Sequence, residues 1–244
     1  IIEDAGPATT AGRIRHERCK GSKIGAFAFN KSAVKTVVLP DSIKEIERFA
    51  FASSNMQSLV LPEGVSLGSY SLPRDMKYVS FPQSLSGGAF SGPYSLWGNA
   101  VAMYDSDGIT QIKDNELDKI KGQRFVWDGS TARKLFRISE SQVLLTTNVG
   151  DETSYRAVPK GSVYAPEPPA VPEHSTFGGW FTDPGFSETY DAAVPLDADT
   201  AVYALFSPET HTVTYEVDGK VVGDVETYEY GEEVAVRAAY IKTG

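Results

Sequence analysis

Four segments of one pattern follow each other near the start of this chain, and they restrict its fold more than any single residue does. They are KIGAFAFNKSAVKTVVLP (23–40), EIERFAFASSNMQSLVLP (45–62), SLGSYSLPRDMKYVSFP (66–82) and a decayed SLSGGAFSGPYSLWGNAVAMY (84–104). Ile24, Ile46, Leu67 and Leu85 open the unit, and Phe29, Phe51, Leu72 and Phe90 follow five residues later. Val37, Leu59, Val79 and Val101 then recur at intervals of 22, 20 and 22 residues. A period in the low twenties predicts a solenoid, whose units stack to bury a face that none can bury alone. Solenoids present a broad ladder surface, so binding or scaffolding is the starting expectation.

Within each coil, alternation predicts which side chains face inward. In VKTVVLP, MQSLVLP and MKYVSFP it sends Val37 and Leu39, Leu59 and Leu61, Val79 and Phe81 into the core. The same alternation turns Thr36 and Val38, Ser58 and Val60, Tyr78 and Ser80 outward. Proline closes each strand, where its missing N–H ends the ladder. The pattern Ile24-Gly25-Ala26-Phe27-Ala28-Phe29 with Val37-Val38-Leu39-Pro40 returns as Ile46-Glu47-Arg48-Phe49-Ala50-Phe51 with Leu59-Val60-Leu61-Pro62. It resembles the BspA-type leucine-rich repeat of microbial surface proteins. The third unit departs, with Ser71-Leu72 in place of Ala-Phe, and the fourth lacks the proline, as suits a terminal coil.

Residues 1–20 carry no clear period and read as a ragged start, so the solenoid is assigned to 1–110. Residues 111–140 read as a segment capping its last coil. DNELDKIK predicts a short helix with Asp114 as N-cap and Gly122 as stop, and RFVW and KLFRI predict two strands.

A second repeat begins at residue 141. A shift of 70 residues places Val213 on Val143, Gly231 on Gly161 and Ala235 on Ala165. Gly161, the proline run to Pro172, Phe177-Gly178-Gly179-Trp180-Phe181-Thr182-Asp183 and the closing Asp199-Thr200-Ala201-Val202-Tyr203-Ala204 resemble the internalin B-repeat, or Listeria–Bacteroides repeat. His174 stands where that family has a glycine. The resemblance implies a β-grasp-like module over 141–207, with Trp180 at its centre beside Phe177, Phe181 and Tyr203, and usually in tandem on secreted or wall-linked proteins. Residues 208–244 then read as a truncated second copy, expected to dock through Val213, Tyr215, Val217 and Val221; a mucin-binding-type repeat is the other label for this tail. The fold class is accordingly mainly β: a short leucine-rich-repeat solenoid, a cap, a β-grasp-like module and a partial second copy. Such a chain reads as one piece of a longer tandem array.

A net charge of −9 leaves no basic stripe to neutralise phosphates, which argues against nucleic acid. One cysteine, Cys19, precludes an internal disulfide. No apolar stretch approaches the ~18 residues that suggest a membrane-spanning helix. The start Ile1-Ile2-Glu3-Asp4 fits a removed leader or an excised fragment equally.

Catalytic chemistry has no footing in the residues. His16, His174 and His211 fall in three different segments, and a zinc site needs three or four converging N or S ligands. They read as surface histidines, and neither a metal nor a cofactor is expected. Tyr104-Asp105-Ser106-Asp107-Gly108 looks like the start of a calcium loop but lacks the later oxygen ligands, so an Asx-type turn is the better reading. Asp151-Glu152 and Glu232-Glu233 are chain neighbours, which do not face each other across a substrate as glycosidase carboxylates must.

The leading functional reading is a non-enzymatic cell-surface or secreted protein. Its leucine-rich-repeat face would contact a protein ligand on a host or neighbouring cell, with the B-repeats as spacer. The candidate contact residues are Thr36, Val38, Ser58, Val60, Lys77, Tyr78 and Ser80, with Tyr78 foremost because aromatics are enriched in binding hot spots. Phe29, Phe51, Phe90, Trp180 and Tyr203 are the expected core anchors. Two other readings stand beside it: a structural stalk whose binding domain lies elsewhere, and a carbohydrate-binding module centred on Trp180 or Trp97.

Overall fold

A computed structural model describes residues 13–14, 21–86, 101–113, 116–130 and 133–234. Phe90, Trp97, Asp114, Cys19 and His16 lie outside the described residues. The architecture is mainly β, with one four-residue helix among the described residues.

The first seven strands are β1 (Arg13–Ile14), β2 (Lys23–Ile24), β3 (Thr36–Val37), β4 (Glu45–Ile46), β5 (Ser58–Val60), β6 (Ser66–Leu67) and β7 (Tyr78–Ser80). They form two parallel ladders. β1, β3, β5 and β7 build one wall of the solenoid, with Ser58 beside Tyr78 and Leu59 beside Val79. β2, β4 and β6 build the other, with Ile24, Ile46 and Leu67 in register. Each coil therefore contributes one rung to each wall, and parallel stacking satisfies its backbone groups. Between the walls lie Ile24, Phe29, Ile46, Phe51, Leu59, Leu67, Leu72 and Val79, all buried, and Phe29 stacks on Phe51 with centroids 5.0 Å apart. Leu39 is only partly buried but packs on this core.

At the turn of successive coils Phe27, Phe49 and Tyr70 take φ of 63°, 58° and 57°. A bulky residue in the left-handed region is strained. Here the strain is offset by stacking, since neighbouring rings lie 5.1 and 5.0 Å apart and almost parallel.

Beyond the third coil the pairing in the first wall departs from the repeat. Ser86 still bridges to Ser66 in parallel, and Leu85 is buried. The fourth unit's strand, β8 (Ala102–Tyr104), does not stack on β7. After β9 (Gln111–Ile112) and the helix α1 (Leu117–Ile120), the strands β10 (Arg124–Trp127) and β11 (Lys134–Arg137) form a hairpin that enters the gap. β10 pairs antiparallel with β7 and β11 pairs parallel with β8, giving the order β7-β10-β11-β8-β9. The segment expected to cap the last coil prolongs its sheet, and its Ile120, Phe125 and Leu135 are buried in the solenoid core. The helix is shorter than the sequence pattern predicts, and Glu116 occupies its N-cap without a side-chain capping bond.

The second module is a four-stranded sheet in the order β13-β12-β15-β14. Its strands are β12 (Gln142–Val149), β13 (Glu152–Pro159), β14 (Ser175–Phe181) and β15 (Thr200–Pro208), and β12 and β15 run parallel at its centre. Val143, Leu145, Val158, Leu196 and Val202 are buried on one face. Phe177 pairs with Phe206 but Gly179 with Leu205, so Gly178 is an extra residue and the register shifts. This β-bulge, with Gly179 at φ 112°, returns Phe177 and Trp180 to the same face, where simple alternation would separate them. Their rings meet edge to face at 5.6 Å. Trp180 is partly buried against the core, and its indole N–H donates to the Pro166 carbonyl at 3.2 Å. Phe181 and Tyr203 pair with each other on the opposite face, which corrects the expectation that they surround Trp180.

The tail holds β16 (Thr210–Val213), β17 (Glu216–Val217), β18 (Lys220–Val221) and β19 (Glu226–Glu229), with β16 paired to β19 and β17 to β18. It meets the second module through His174, whose ring stacks on Tyr230 with centroids 3.7 Å apart. Glu209 N–H also donates to the His174 carbonyl at 2.9 Å. Val221, expected at this joint, is exposed. His174 has φ 57°, the left-handed conformation that explains why the resembled family carries glycine there.

Candidate binding groove

The face built by β3, β5 and β7 is divided. Val38 and Val60 project into solvent at 57% and 61% exposure. Thr36, Lys77 and Ser80 are half-buried and Ser58 is buried. Tyr78, the residue singled out as most available, retains 7% of its surface. Alternation did turn it away from the solenoid core, but another layer covers it.

That layer is the second module's sheet. Leu144 is buried with Tyr78, Val126 and Ile138, and Tyr155 and Ala157 pack on this cluster. β13 lies across the solenoid strands: Tyr155 stacks on Tyr78 of β7, and Glu152 reaches Lys35, just before β3. Two polar links fasten the layers. The Asp199 carboxylate accepts from the Leu144 N–H at 2.9 Å and pairs with the Arg124 guanidinium, while Glu152 pairs with Lys35. Burial pushes the Tyr78 phenol above its ordinary range. The ammonium of Lys35 holds the Glu152 carboxyl below its own.

Between these fastenings the layers leave a cavity of about 440 Å³. Val38 and Val60 stand on its floor with Thr36 and Ser58, and Leu144, Thr146 and Tyr155 form the facing wall. Asp41 and Glu63 lie at its rim. The Glu63 carboxylate is already engaged, accepting from the hydroxyl and N–H of Ser84 and the N–H of Gln83, which holds its pKa down. The groove thus offers aliphatic contact, a few hydroxyls and two strand ladders. It has the makings of a contact surface, with no nucleophile and base in register.

Other groups reserved in the sequence are accounted for locally. The Asp107 carboxylate accepts from the N–H groups of Ile109 and Thr110 and the Thr110 hydroxyl, an Asx-type turn, and Asp105 pairs with Arg137. His174 lies 3.4 Å from Glu173 and 3.8 Å from Glu209, and His211 is exposed. Among the described residues no three His, Cys, Asp or Glu side chains converge as metal ligands, and no helix is long and apolar enough to cross a membrane.

Sequence reasoning missed the wall residues Leu144, Thr146 and Tyr155. One signal was present. Val143-Leu144-Leu145 is an uninterrupted apolar run at the start of β12, the mark of a strand covered on both faces.

Two stacked repeat folds joined face to face define a mainly β repeat protein. The model for the BspA type leucine rich repeat region (6 copies) matches residues 19–96, and that for the Listeria-Bacteroides repeat domain matches residues 146–205. The chain therefore carries these two repeats, in that order. Both are non-catalytic repeat domains typical of bacterial surface proteins. Among curated proteins, none matches the chain.

Proposed function

We propose that this chain is a non-enzymatic protein of the cell surface or the secreted fraction that holds a protein ligand in the groove between its two repeat modules. The supporting observation is the pair Val38 and Val60, large aliphatic side chains left more than half exposed on a strand face that is otherwise covered. Exposed apolar groups beside a concave, two-walled surface suit protein contact. The B-repeat is then a wall of the site as well as a spacer. The ligand belongs to a host or neighbouring-cell surface, as the repeats' usual setting suggests.

The test is solution binding of the whole chain to a panel of purified host and microbial surface proteins, with Val60→Asp in parallel. Val60 is exposed, so the substitution spares the fold. A ligand whose affinity falls about tenfold or more in the variant supports the groove. Binding of no ligand by either protein favours the stalk reading, which the doubly fastened joint between the modules also suits, and equal binding by both would place the ligand outside the groove.

A further inference from the structure

A second concavity opens on the other side of Tyr155. It measures about 640 Å³ and lies between the β10–β11 hairpin and the outer edge of β13. That size falls within the range of small-molecule sites, about 300–1,000 Å³. It shares only Tyr155 with the groove described above.

Its chemistry differs from the groove's. Trp127, half-buried against the solenoid core, contributes an aromatic wall. Lys77 and Arg156 are balanced by Asp128 and Glu167, so the cleft has no net charge to select an anion or a cation. Arg156 lies over the Tyr164 ring, 5.7 Å from its centroid, and makes no ion pair among the described residues. Stacking fixes the guanidinium plane and leaves its N–H edge for donation. The Glu167 carboxylate adds an acceptor. β13 is the edge strand of its sheet, so alternate backbone N–H and C=O groups along its outer side are not used within the sheet.

A ligand without net charge suits this cleft, with an apolar face for Trp127 and both donors and acceptors around its perimeter. A pyranose ring has all three features, with C–H groups on its faces and hydroxyls at its rim. We propose that the cleft between β10–β11 and β13 binds a neutral saccharide, the ring against Trp127 and the hydroxyls between Arg156 and Glu167. The site is independent of the protein-binding groove, so either assignment stands if the other fails.

The experiment is calorimetric titration of the whole chain with maltose, cellobiose, lactose, mannobiose and chitobiose, alongside uronic-acid and amino-sugar counterparts. At least one neutral disaccharide is expected to bind in about the micromolar to millimolar range. Arg156→Ala and Glu167→Gln are each expected to weaken it about tenfold with an unchanged melting temperature. These rim variants carry the test because Trp127 also packs on the core. The Trp127 resonance in fluorotryptophan-labelled protein, assigned with Trp127→Phe, is expected to shift on saturation. No binding by any neutral disaccharide, preference for the charged sugars, or binding unaltered in both rim variants would overturn the assignment. So would a loss in Val60→Asp that matches the loss in the rim variants.

Discussion

The rings of Tyr78 and Tyr155 lie one on the other, centroids 5.2 Å apart and planes 15° apart, and so join two repeats of unrelated pattern. The stack occupies the strand face that a solenoid ordinarily leaves open. It also sets one boundary of the groove.

Tyr155→Ala removes this stack and exposes Tyr78 and Leu144. A loss of about 2–4 kcal/mol is expected, since a partly buried aromatic falls at or below the usual range for core aromatics. Limited proteolysis between the modules, near residues 139–141, should accelerate. An unchanged proteolysis pattern would show that Leu144 and the polar links hold the layers without the stack.

The joint has a defined pH window. The Glu152 carboxyl is held below its ordinary value of about 4.3, so its contribution is present above that pH and lost as pH falls through its folded value. The Tyr78 phenol is raised above about 10, so its contribution is full below pH ~10 and lost as pH rises through its folded value. The free energy of opening of β13, taken from amide exchange corrected for the intrinsic rate at each pH, should therefore stay flat across neutrality and fall at both extremes. In Glu152→Gln the acid limb alone should flatten.

Phe51 has no exposed surface and stacks on Phe29. Phe51→Ala should cost about 3–5 kcal/mol. Chemical denaturation would report it, and an unchanged midpoint would mean that the coil register is wrong.

Ser71 is buried with its hydroxyl unpaired, at the position Ala50 fills in the preceding coil. Ser71→Ala removes an unsatisfied polar atom and should stabilise by about 1 kcal/mol. A lower melting temperature in this variant would show that the hydroxyl has a partner, such as a bound water.

Gly179 has open space where a Cβ would stand, but its φ is 112°. Gly179→Ala should therefore cost about 1–3 kcal/mol through backbone strain alone. The Trp180 indole signal should move with it, because the bulge aims that side chain. Retention of both stability and signal would place the bulge elsewhere.

Period and alternation were enough to place Val37, Leu59 and Val79 inward, because a strand's two faces follow from its own sequence. The same residues carry no information about what lies over the outer face, and so the cover on Tyr78 was not legible. Outward positions change from Thr36 and Ser58 to Tyr78 at the coil nearest the hairpin, a change in size that in retrospect marks where the cover begins. The hairpin's entry between β7 and β8 was hidden for a similar reason. Val101 keeps the spacing of the repeat although the strand that follows it pairs elsewhere, with β11. The expectation of Phe181 and Tyr203 beside Trp180 came from the family resemblance; plain alternation already sets Phe181 opposite its chain neighbour Trp180, and what alternation misses is Phe177, which the bulge at Gly178-Gly179 brings to the face of Trp180.

The parallel pairing of β12 with β15 has a mechanical consequence. β12 begins the second module and β15 ends it, and their shared rungs run from Leu145 beside Thr200 to Asn148 beside Tyr203. Tension applied along the chain draws these neighbours lengthwise past each other. The rungs are then loaded together and must yield together, whereas a hairpin pulled at its open end unzips one bond at a time. A module fastened in this way resists stretching, a useful property for a link that must stay folded under drag.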